Sequence, residues 1–244
     1  MECLDTTKFL KINKKKNIGT VLMVVEGESY EFEILKRIFC QILGYNYIER
    51  KRYKTVFHSY DEFVMKGNEN SRVIVINARN SNISSINKDD EYLNNMYMAI
   101  YNDYGIDVNK IRTYFVWDRD PKSNINENVV RDLILKLGNS LDNGEEMNGL
   151  LLLSYPAVEA YVISNFENHI SRMGIGQLKE YVTQNGYSVK NINQNTIKSA
   201  IVLMHKVFKS FGIKDYSVDN FCETSLKLLS KAEECCRAGG KHKI

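Results

Sequence analysis

Several features that mark common protein classes are missing from this 244-residue chain. It has no run of about 18 apolar residues that could span a bilayer, and its lysine-rich start lacks the apolar stretch of a signal peptide, so we expect a cytoplasmic protein. The five cysteines are odd in number and show no C-x-x-C spacing, which argues against a disulfide framework and a zinc ribbon. No P-loop motif is present, so ATP-dependent control would have to come from another protein.

Positive charge is unevenly distributed, although the formal net charge is only +3. No acidic residue interrupts residues 6–25, and residues 237–243 form a basic tail. A third stretch, YNYIERKRYKTVFHSY at residues 45–60, mixes positive charge with aromatic rings. Such segments bind nucleic acid through phosphate contacts and stacking, but they also occur as strands with solvated charges and core aromatics. Both interpretations stay open, and DNA is not distinguished from RNA.

Four short apolar runs predict buried strands, at residues 21–25, 73–76, 113–117 and 150–153. Helical periodicity follows the first run as far as Gly44, with Ser29 as its predicted cap, and recurs over residues 91–104 and 129–137. Unbroken apolar runs separated by helices are typical of a parallel sheet covered on both faces. We therefore predict the α/β class, with a central four-stranded parallel sheet.

The pattern changes near residue 170, after which only helical segments follow. We predict two parts on this basis. The first is a catalytic domain over residues 1–168, and the second is an all-helical C-terminal extension over residues 169–244.

Acidic residues follow three of the four predicted strands. Glu26 follows the first, Asp118 and Asp120 follow the third, and Glu159 comes shortly after the fourth. Ligands of open parallel sheets bind at the carboxyl ends of the strands, where these acids would gather. Carboxylates gathered in this way are best tolerated around a cation, and Mg²⁺ suits them. An extended D-x-D would point both acids to one side. Each acid also has a simpler interpretation, since acids are common in turns and at helix starts.

Three segments carry a resemblance to a known family. VVEGES at residues 24–29 and FVWDRD at residues 115–120 resemble the Toprim domain, which has a Glu after its first strand and a D-x-D after its third. With SYPAVEAYVI at residues 154–163, the chain is most similar to RloB-like and related Toprim nucleases of bacterial antiphage defence. The resemblance covers about residues 18–168.

The resemblance implies a Toprim-like fold and Mg²⁺-dependent phosphodiester hydrolysis, with Mn²⁺ as a substitute ion, in defence against phage. The implied catalytic residues are Glu26, Asp118 and Asp120, the implied metal ligands are these three with Glu159, and the candidate phosphate-binding residues are Arg119 and Lys122. The partners expected are nucleic acid, a regulatory ATPase or another defence protein, and a second copy of the chain, but no membrane.

Two alternatives remain. The chain could be a catalytically silent module that binds nucleic acid or a partner and keeps its acids for metal-stabilised folding. It could also be a phosphohydrolase of the haloacid dehalogenase type, which uses D-x-D as well. In that class the D-x-D follows the first strand, whereas here Glu26 occupies that position.

Overall fold

The fold is described by a computed structural model for residues 13–27, 30–51, 59–77, 83, 91–107, 110–122, 126–140, 149–168, 175–214 and 220–237. The strands are β1 (Thr20–Val25), β2 (Tyr45–Lys51), β3 (Ser59–Met65), β4 (Asn68–Asn77), β5 (Arg112–Asp118), β6 (Gly138–Asn139) and β7 (Gly149–Ser154). They form one seven-stranded mixed sheet in the order β2-β3-β4-β1-β5-β7-β6.

Helices connect and follow these strands. They are α1 (Tyr30–Lys36), continued by a π-helix over Arg37–Ile42, then α2 (Tyr92–Tyr104), α3 (Glu127–Lys136), α4 (Val158–Ser164), α5 (Ile175–Gln184), α6 (Gln194–Ser210) and α7 (Phe221–Arg237). Helix α2 ends where Gly105 adopts a left-handed conformation with φ of 63°. Within the described residues, no helix is both long and apolar enough to cross a membrane. The cap predicted at Ser29 lies outside the described residues.

The centre of the sheet is parallel. Strand β1 pairs in parallel with β4 on one side and with β5 on the other, and β5 pairs in parallel with β7. All four apolar runs of the sequence lie in these four strands, and the predicted α/β class is confirmed. Their carboxyl ends therefore meet at one edge of the sheet, which we call the carboxyl edge.

The predicted four-stranded, all-parallel sheet is wrong in its extent. Strands β2 and β3 form an antiparallel hairpin that extends the sheet beyond β4, and the short β6 pairs antiparallel with β7. The longest apolar run in the hairpin covers only residues 63–65, because polar residues interrupt both Tyr45–Lys51 and Ser59–Met65. A run this short does not by itself predict a buried strand.

Both faces of the central strands are buried. One face packs against α1 and the π-helix through a cluster of buried residues, namely Val21, Val25, Leu35, Phe39, Tyr45, Phe63, Met65, Val73 and Val75. On the opposite face, the alternate residues of β1 and β4 are also buried, among them Leu22, Val24, Ile74 and Ile76. Burial on both faces explains why these strands read as continuous apolar runs.

The chain divides into two compact units by its internal contacts. The sheet unit is Asn17–Ser154, and the C-terminal unit combines Met1–Lys16 with Tyr155–Ile244. The division thus falls earlier than the predicted boundary at residue 168. Helix α4 belongs with the later helices because its Ile163 packs in one buried cluster with Leu178 and Val182 of α5. The assignment of a catalytic domain to residues 1–168 and an extension to 169–244 stays a prediction.

Candidate active site

Glu26 and Asp118 are held together at the carboxyl edge. Strands β1 and β5 are neighbours in register, with Val25 opposite Val116. The Glu26 backbone N–H donates to the Val116 carbonyl at 3.4 Å, which continues the ladder beyond the end of β1. The Glu26 carboxylate then turns back and accepts the backbone N–H of Asp118 through Oε2 at 3.1 Å. Two acids 92 residues apart in sequence are therefore joined by a direct hydrogen bond.

Ser154 fixes the orientation of Asp118. Its hydroxyl lies 2.5 Å from Oδ1 of Asp118, to which it donates, and 3.3 Å from the carbonyl oxygen of Trp117. The backbone N–H of Arg119 donates to the Ser154 carbonyl at 2.9 Å, so the ends of β5 and β7 are tied together. Ser154 was not among the predicted site residues. Its signal was its place as the first residue of the SYPAVEAYVI segment.

Asp120 lies just beyond the end of β5, in a turn. Its φ of 35° is in the left-handed region, where Asp is one of the better tolerated side chains. Its Oδ1 accepts the backbone N–H of Lys122 at 3.3 Å, as in a turn closed by an aspartate side chain. The D-x-D is therefore not extended over its whole length, because the strand ends at Asp118 and Asp120 lies in the turn.

A further carboxylate, Glu31, approaches the loop after β1. Its side chain, in the first turn of α1, is buried to 7% exposure. It passes so close to Gly27 that a Cβ at that position would lie 2.0 Å from Oε2 of Glu31. Only glycine leaves room for this approach. Its place in the first turn of α1 is typical of an acid that interacts with the helix dipole, and its spacing from Glu26 gives no sign that the two carboxylates influence each other.

Partial burial at this edge raises the pKa of Glu26 to about 7 from its ordinary value of 4.5. Burial is the largest cause, and the negative charges of Asp118, Glu31 and Asp120 act in the same direction. The hydrogen bond from the Asp118 N–H acts in the opposite direction, since it favours the carboxylate form. Glu26 is thus poised to gain or lose a proton near neutral pH.

The two candidate phosphate-binding residues differ in exposure. The Lys122 side chain is exposed beside Asp120. The side chain of Arg119 is buried, with 1% of its surface exposed. Contact between Arg119 and a substrate phosphate would therefore require its surroundings to move, and the predicted role of both residues stays a prediction.

Glu159 lies in the C-terminal unit, in the first turn of α4. Its Oε1 is 3.9 Å from Nζ of Lys179 on α5, and its side chain is 11% exposed. The other oxygen, Oε2, is buried and has no hydrogen-bond partner among the described residues. Its predicted role as a metal ligand stays a prediction.

Mg²⁺ is the ion that the sequence predicts at the carboxyl edge. Within the described ranges, no three His, Cys, Asp or Glu side chains are arranged to hold a metal ion. Mg²⁺ is commonly held by only one or two carboxylates, with waters and substrate phosphates as its other ligands. Glu26 and Asp118 supply such a pair, and a cation would offset both the burial and the repulsion that raise the pKa of Glu26. The residues therefore fit a Mg²⁺ ion held mainly by water and substrate.

The function of this edge must be inferred from its own residues. The resemblance to Toprim nucleases depends on three sequence segments, and the geometry depends on the contacts of Glu26, Asp118 and Ser154. No protein-family model, no curated protein and no solved structure matches this chain.

Proposed function

We propose that this chain is a Mg²⁺-dependent nuclease of the Toprim type that hydrolyses phosphodiester bonds in DNA or RNA. The observation that carries the proposal is the pairing of Glu26 with Asp118 at the carboxyl ends of adjacent parallel strands. A half-buried carboxylate with a pKa of about 7 beside further acids is common at catalytic sites. The order of the motifs, Glu after β1 and D-x-D after β5, supports the Toprim assignment.

Each acid has a role that its surroundings suit. Glu26 can take a proton from an attacking water or return one to the leaving oxygen, because its pKa lies near neutral pH. Asp118 is held in one orientation by Ser154 and is suited to bind a cation. Asp120, in the adjoining turn, adds negative charge at the same edge. When bound, Mg²⁺ would polarise the scissile phosphate and stabilise charge on the leaving oxygen.

The biological setting is proposed from the resemblance alone. The segments shared with RloB-like and related Toprim nucleases support an effector that acts in the bacterial cytoplasm against phage. A nuclease of this kind must be silent until infection, so a regulatory ATPase or another defence protein is the partner we propose.

The two alternatives differ from this proposal in observable ways. A haloacid dehalogenase-type enzyme needs a nucleophilic Asp after its first strand, and here β1 is followed by Glu26. A catalytically silent binding module would use the same acids for metal binding without cleavage. Metal-dependent stabilisation without cleavage of any nucleic acid would favour the silent module.

The proposal is tested by incubating the purified chain with supercoiled DNA, single-stranded DNA and total tRNA. Each substrate is tested with Mg²⁺, with Mn²⁺ and with a chelator. We expect metal-dependent cleavage of at least one polymer, and a loss of at least about 100-fold in the Asp118→Ala, Asp120→Ala double variant. The matched control is Asp132→Asn, which removes one exposed acid of α3 and is expected to cleave as the wild type does.

Cells provide the second arm of the test. If the wild type cleaves nothing in vitro but is toxic when expressed, and the double variant is not, the nuclease depends on a partner. If neither chain is toxic and neither cleaves, the nuclease proposal is wrong and the binding module is favoured.

A further inference from the structure

Two arginines on neighbouring strands share one buried carboxylate. Nε of Arg50, on the edge strand β2, lies 2.8 Å from Oε2 of Glu62 on β3. NH1 of Arg72, on β4, lies 3.5 Å from Oε1 of the same carboxylate. Arg72 also donates through Nε to the Thr20 hydroxyl on β1 at 3.3 Å. We call Arg50 and Arg72 the arginine pair.

The strand register explains this geometry. Glu62 is directly opposite Ile48 on β2 and Ile74 on β4. Arg50 is two residues beyond Ile48, and Arg72 is two residues before Ile74, so each arginine is a diagonal neighbour of Glu62 on the same face of the sheet. This is the face opposite Phe63, which packs against α1 and the π-helix.

The charges and exposures of these side chains are unequal. The Glu62 side chain is 5% exposed, whereas those of Arg50 and Arg72 are 49% and 43% exposed. One arginine is enough to balance one buried carboxylate, so the cluster carries a net charge of +1 with both guanidinium groups accessible to solvent. Each guanidinium carries five N–H donors in a rigid fork, of which the Glu62 contacts use a minority.

The structure excludes one form of nucleic-acid binding by the basic, aromatic stretch at residues 45–60. Tyr45 is 5% exposed and belongs to the core on the α1 face. The ring of Tyr47 packs against that core and lies 4.0 Å from Nζ of Lys36, and its hydroxyl donates to Asp61 at 2.6 Å. These two rings are not stacking platforms for bases. Among the described residues of the stretch, Arg50 has a side chain that is 49% exposed and can contact nucleic acid by charge.

We infer that the arginine pair binds the phosphodiester backbone of a nucleic acid, with Glu62 holding both guanidinium groups in place. Two guanidinium groups anchored on the two oxygens of one carboxylate can contact neighbouring phosphates of one strand. Contacts of this kind position the polymer without reading its sequence.

The register also connects the arginine pair with the carboxyl edge. Arg50 pairs with Tyr60, Tyr60 with Ile76, and Ile76 with Val24, two residues before Glu26. Arg72 pairs with Thr20, at the start of β1. A backbone bound along the arginine pair therefore crosses the sheet obliquely, and its Arg50 end lies at the level of the carboxyl edge, three strands from β1. This inference deepens the proposed nuclease function and rests on it for the identity of the polymer.

The test measures binding separately from cleavage. Fluorescently labelled single-stranded DNA, RNA of the same sequence and duplex DNA are titrated with the chain in chelator, between about 50 and 200 mM salt. We expect Arg50→Gln, Arg72→Gln to weaken binding at least about tenfold at low salt and to reduce the salt slope by about one per arginine. The polymer with the largest loss is the one that the arginine pair contacts.

Three further variants separate binding from a structural role. Arg112→Gln, which removes an exposed arginine at the start of β5, should leave affinity unchanged. Arg50→Lys, Arg72→Lys keeps both charges and should retain most of the salt slope, even if the glutamine pair folds poorly. Glu62→Gln keeps one oxygen acceptor and raises the cluster charge to +2, so its salt slope should equal or exceed that of the wild type although one guanidinium loses its anchor.

Unchanged affinity and salt slope in the folded Arg50→Gln, Arg72→Gln variant would overturn the inference. The inference would also be overturned if the Arg50→Lys, Arg72→Lys variant lost as much salt slope as the Arg50→Gln, Arg72→Gln variant. Cleavage with Mg²⁺ is measured in parallel for every variant. If the arginine variants bind and cleave as the wild type does, the inference about the arginine pair is wrong and the nuclease proposal stands. If binding depends on the arginines but no protein cleaves nucleic acid, the nuclease proposal is wrong and the inference about the arginine pair stands.

Discussion

Individual residues around Glu26 determine how much negative charge the carboxyl edge can hold. Gly27 matters because its missing side chain lets the Glu31 carboxylate approach the loop after β1. The charge of Glu31 in turn contributes to the raised pKa of Glu26. Two substitutions at this scale separate the effects of space and of charge.

The first prediction concerns Gly27→Ala. The new methyl group would lie 2.0 Å from Oε2 of Glu31, so the buried carboxylate has to move. We expect the free energy of unfolding to fall by about 1 to 2 kcal/mol, as for other overpacked sites. Chemical denaturation of the variant and the wild type measures this difference.

Two companion variants make this result specific. Adding Glu31→Ala to Gly27→Ala should restore part of the stability, because the steric conflict is removed. Gly176→Ala on α5 is the control, since its new methyl group meets open space beyond its own helix and should keep or raise stability. A double variant as unstable as Gly27→Ala alone would contradict a steric conflict with Glu31.

The second prediction concerns the pH dependence of Glu26→Gln without metal. The pKa of Glu26 is about 7 in the folded chain and 4.5 ordinarily, so the folded state binds the proton more tightly. Stability of the wild type therefore falls as pH rises from 4.5 to about 7 and then levels off. The amide variant does not ionise and lacks this loss.

We compare the free energy of unfolding of Glu26→Gln with that of the wild type at about pH 5 and at about pH 8. We expect the difference in favour of the variant to be larger at the higher pH by roughly 1 to 2 kcal/mol, after discounting for partial solvation. Urea unfolding in chelator measures the free energy of unfolding of both proteins at each pH, and hence the difference between them. Glu69→Gln, an exposed acid of β4, serves as the control and should show no such gain. An equal difference at both pH values would mean that the pKa of Glu26 is not raised.

At the scale of elements, helix α6 has the best-defined start. The Asn193 side chain accepts the N–H groups of Asn195 and Thr196 at 2.9 and 3.3 Å. The Thr196 hydroxyl accepts the N–H of Asn193 in return at 2.9 Å, which completes a capping box. Three backbone N–H groups at the start of the helix, which would otherwise lack a partner, are therefore hydrogen-bonded.

The third prediction is that Asn193→Ala lowers the stability of the protein by about 1 kcal/mol, because two N–H groups lose their acceptor. Asn193→Asp should keep most of the stability, since aspartate caps equally well. Asn195→Ala, two residues along the same helix, is the control and should change stability by less than about 0.5 kcal/mol. Thermal unfolding followed by circular dichroism measures all three.

At the scale of the whole molecule, metal binding should increase the free energy of unfolding of the chain. A ligand that binds only the folded chain stabilises it by mass action. The fourth prediction is that Mg²⁺ raises the free energy of unfolding by about 2.7 kcal/mol at a concentration 100 times its Kd. The Asp118→Ala, Asp120→Ala variant should show no increase in a thermal-shift titration, and an equal increase in both proteins would place the ion elsewhere.

Local sequence patterns predicted a large part of the fold. The four apolar runs became β1, β4, β5 and β7, and residues 175–184 form one of the helices expected after residue 170. The β2–β3 hairpin could not be predicted in the same way, since its longest apolar run has only three residues. The division after Ser154 was not predictable either, because it depends on which helices α4 contacts.

The sequence by itself determined that Glu26 and Asp118 follow buried parallel strands, because strand burial and strand ends are encoded in local hydrophobicity. Only the tertiary structure decided that β1 and β5 are neighbours and that Ser154 orients Asp118. It also decided that Glu31 approaches Gly27 and that Arg50 and Arg72 share Glu62. These contacts join residues on different elements, and their distances depend on strand order and register, which no local pattern specifies.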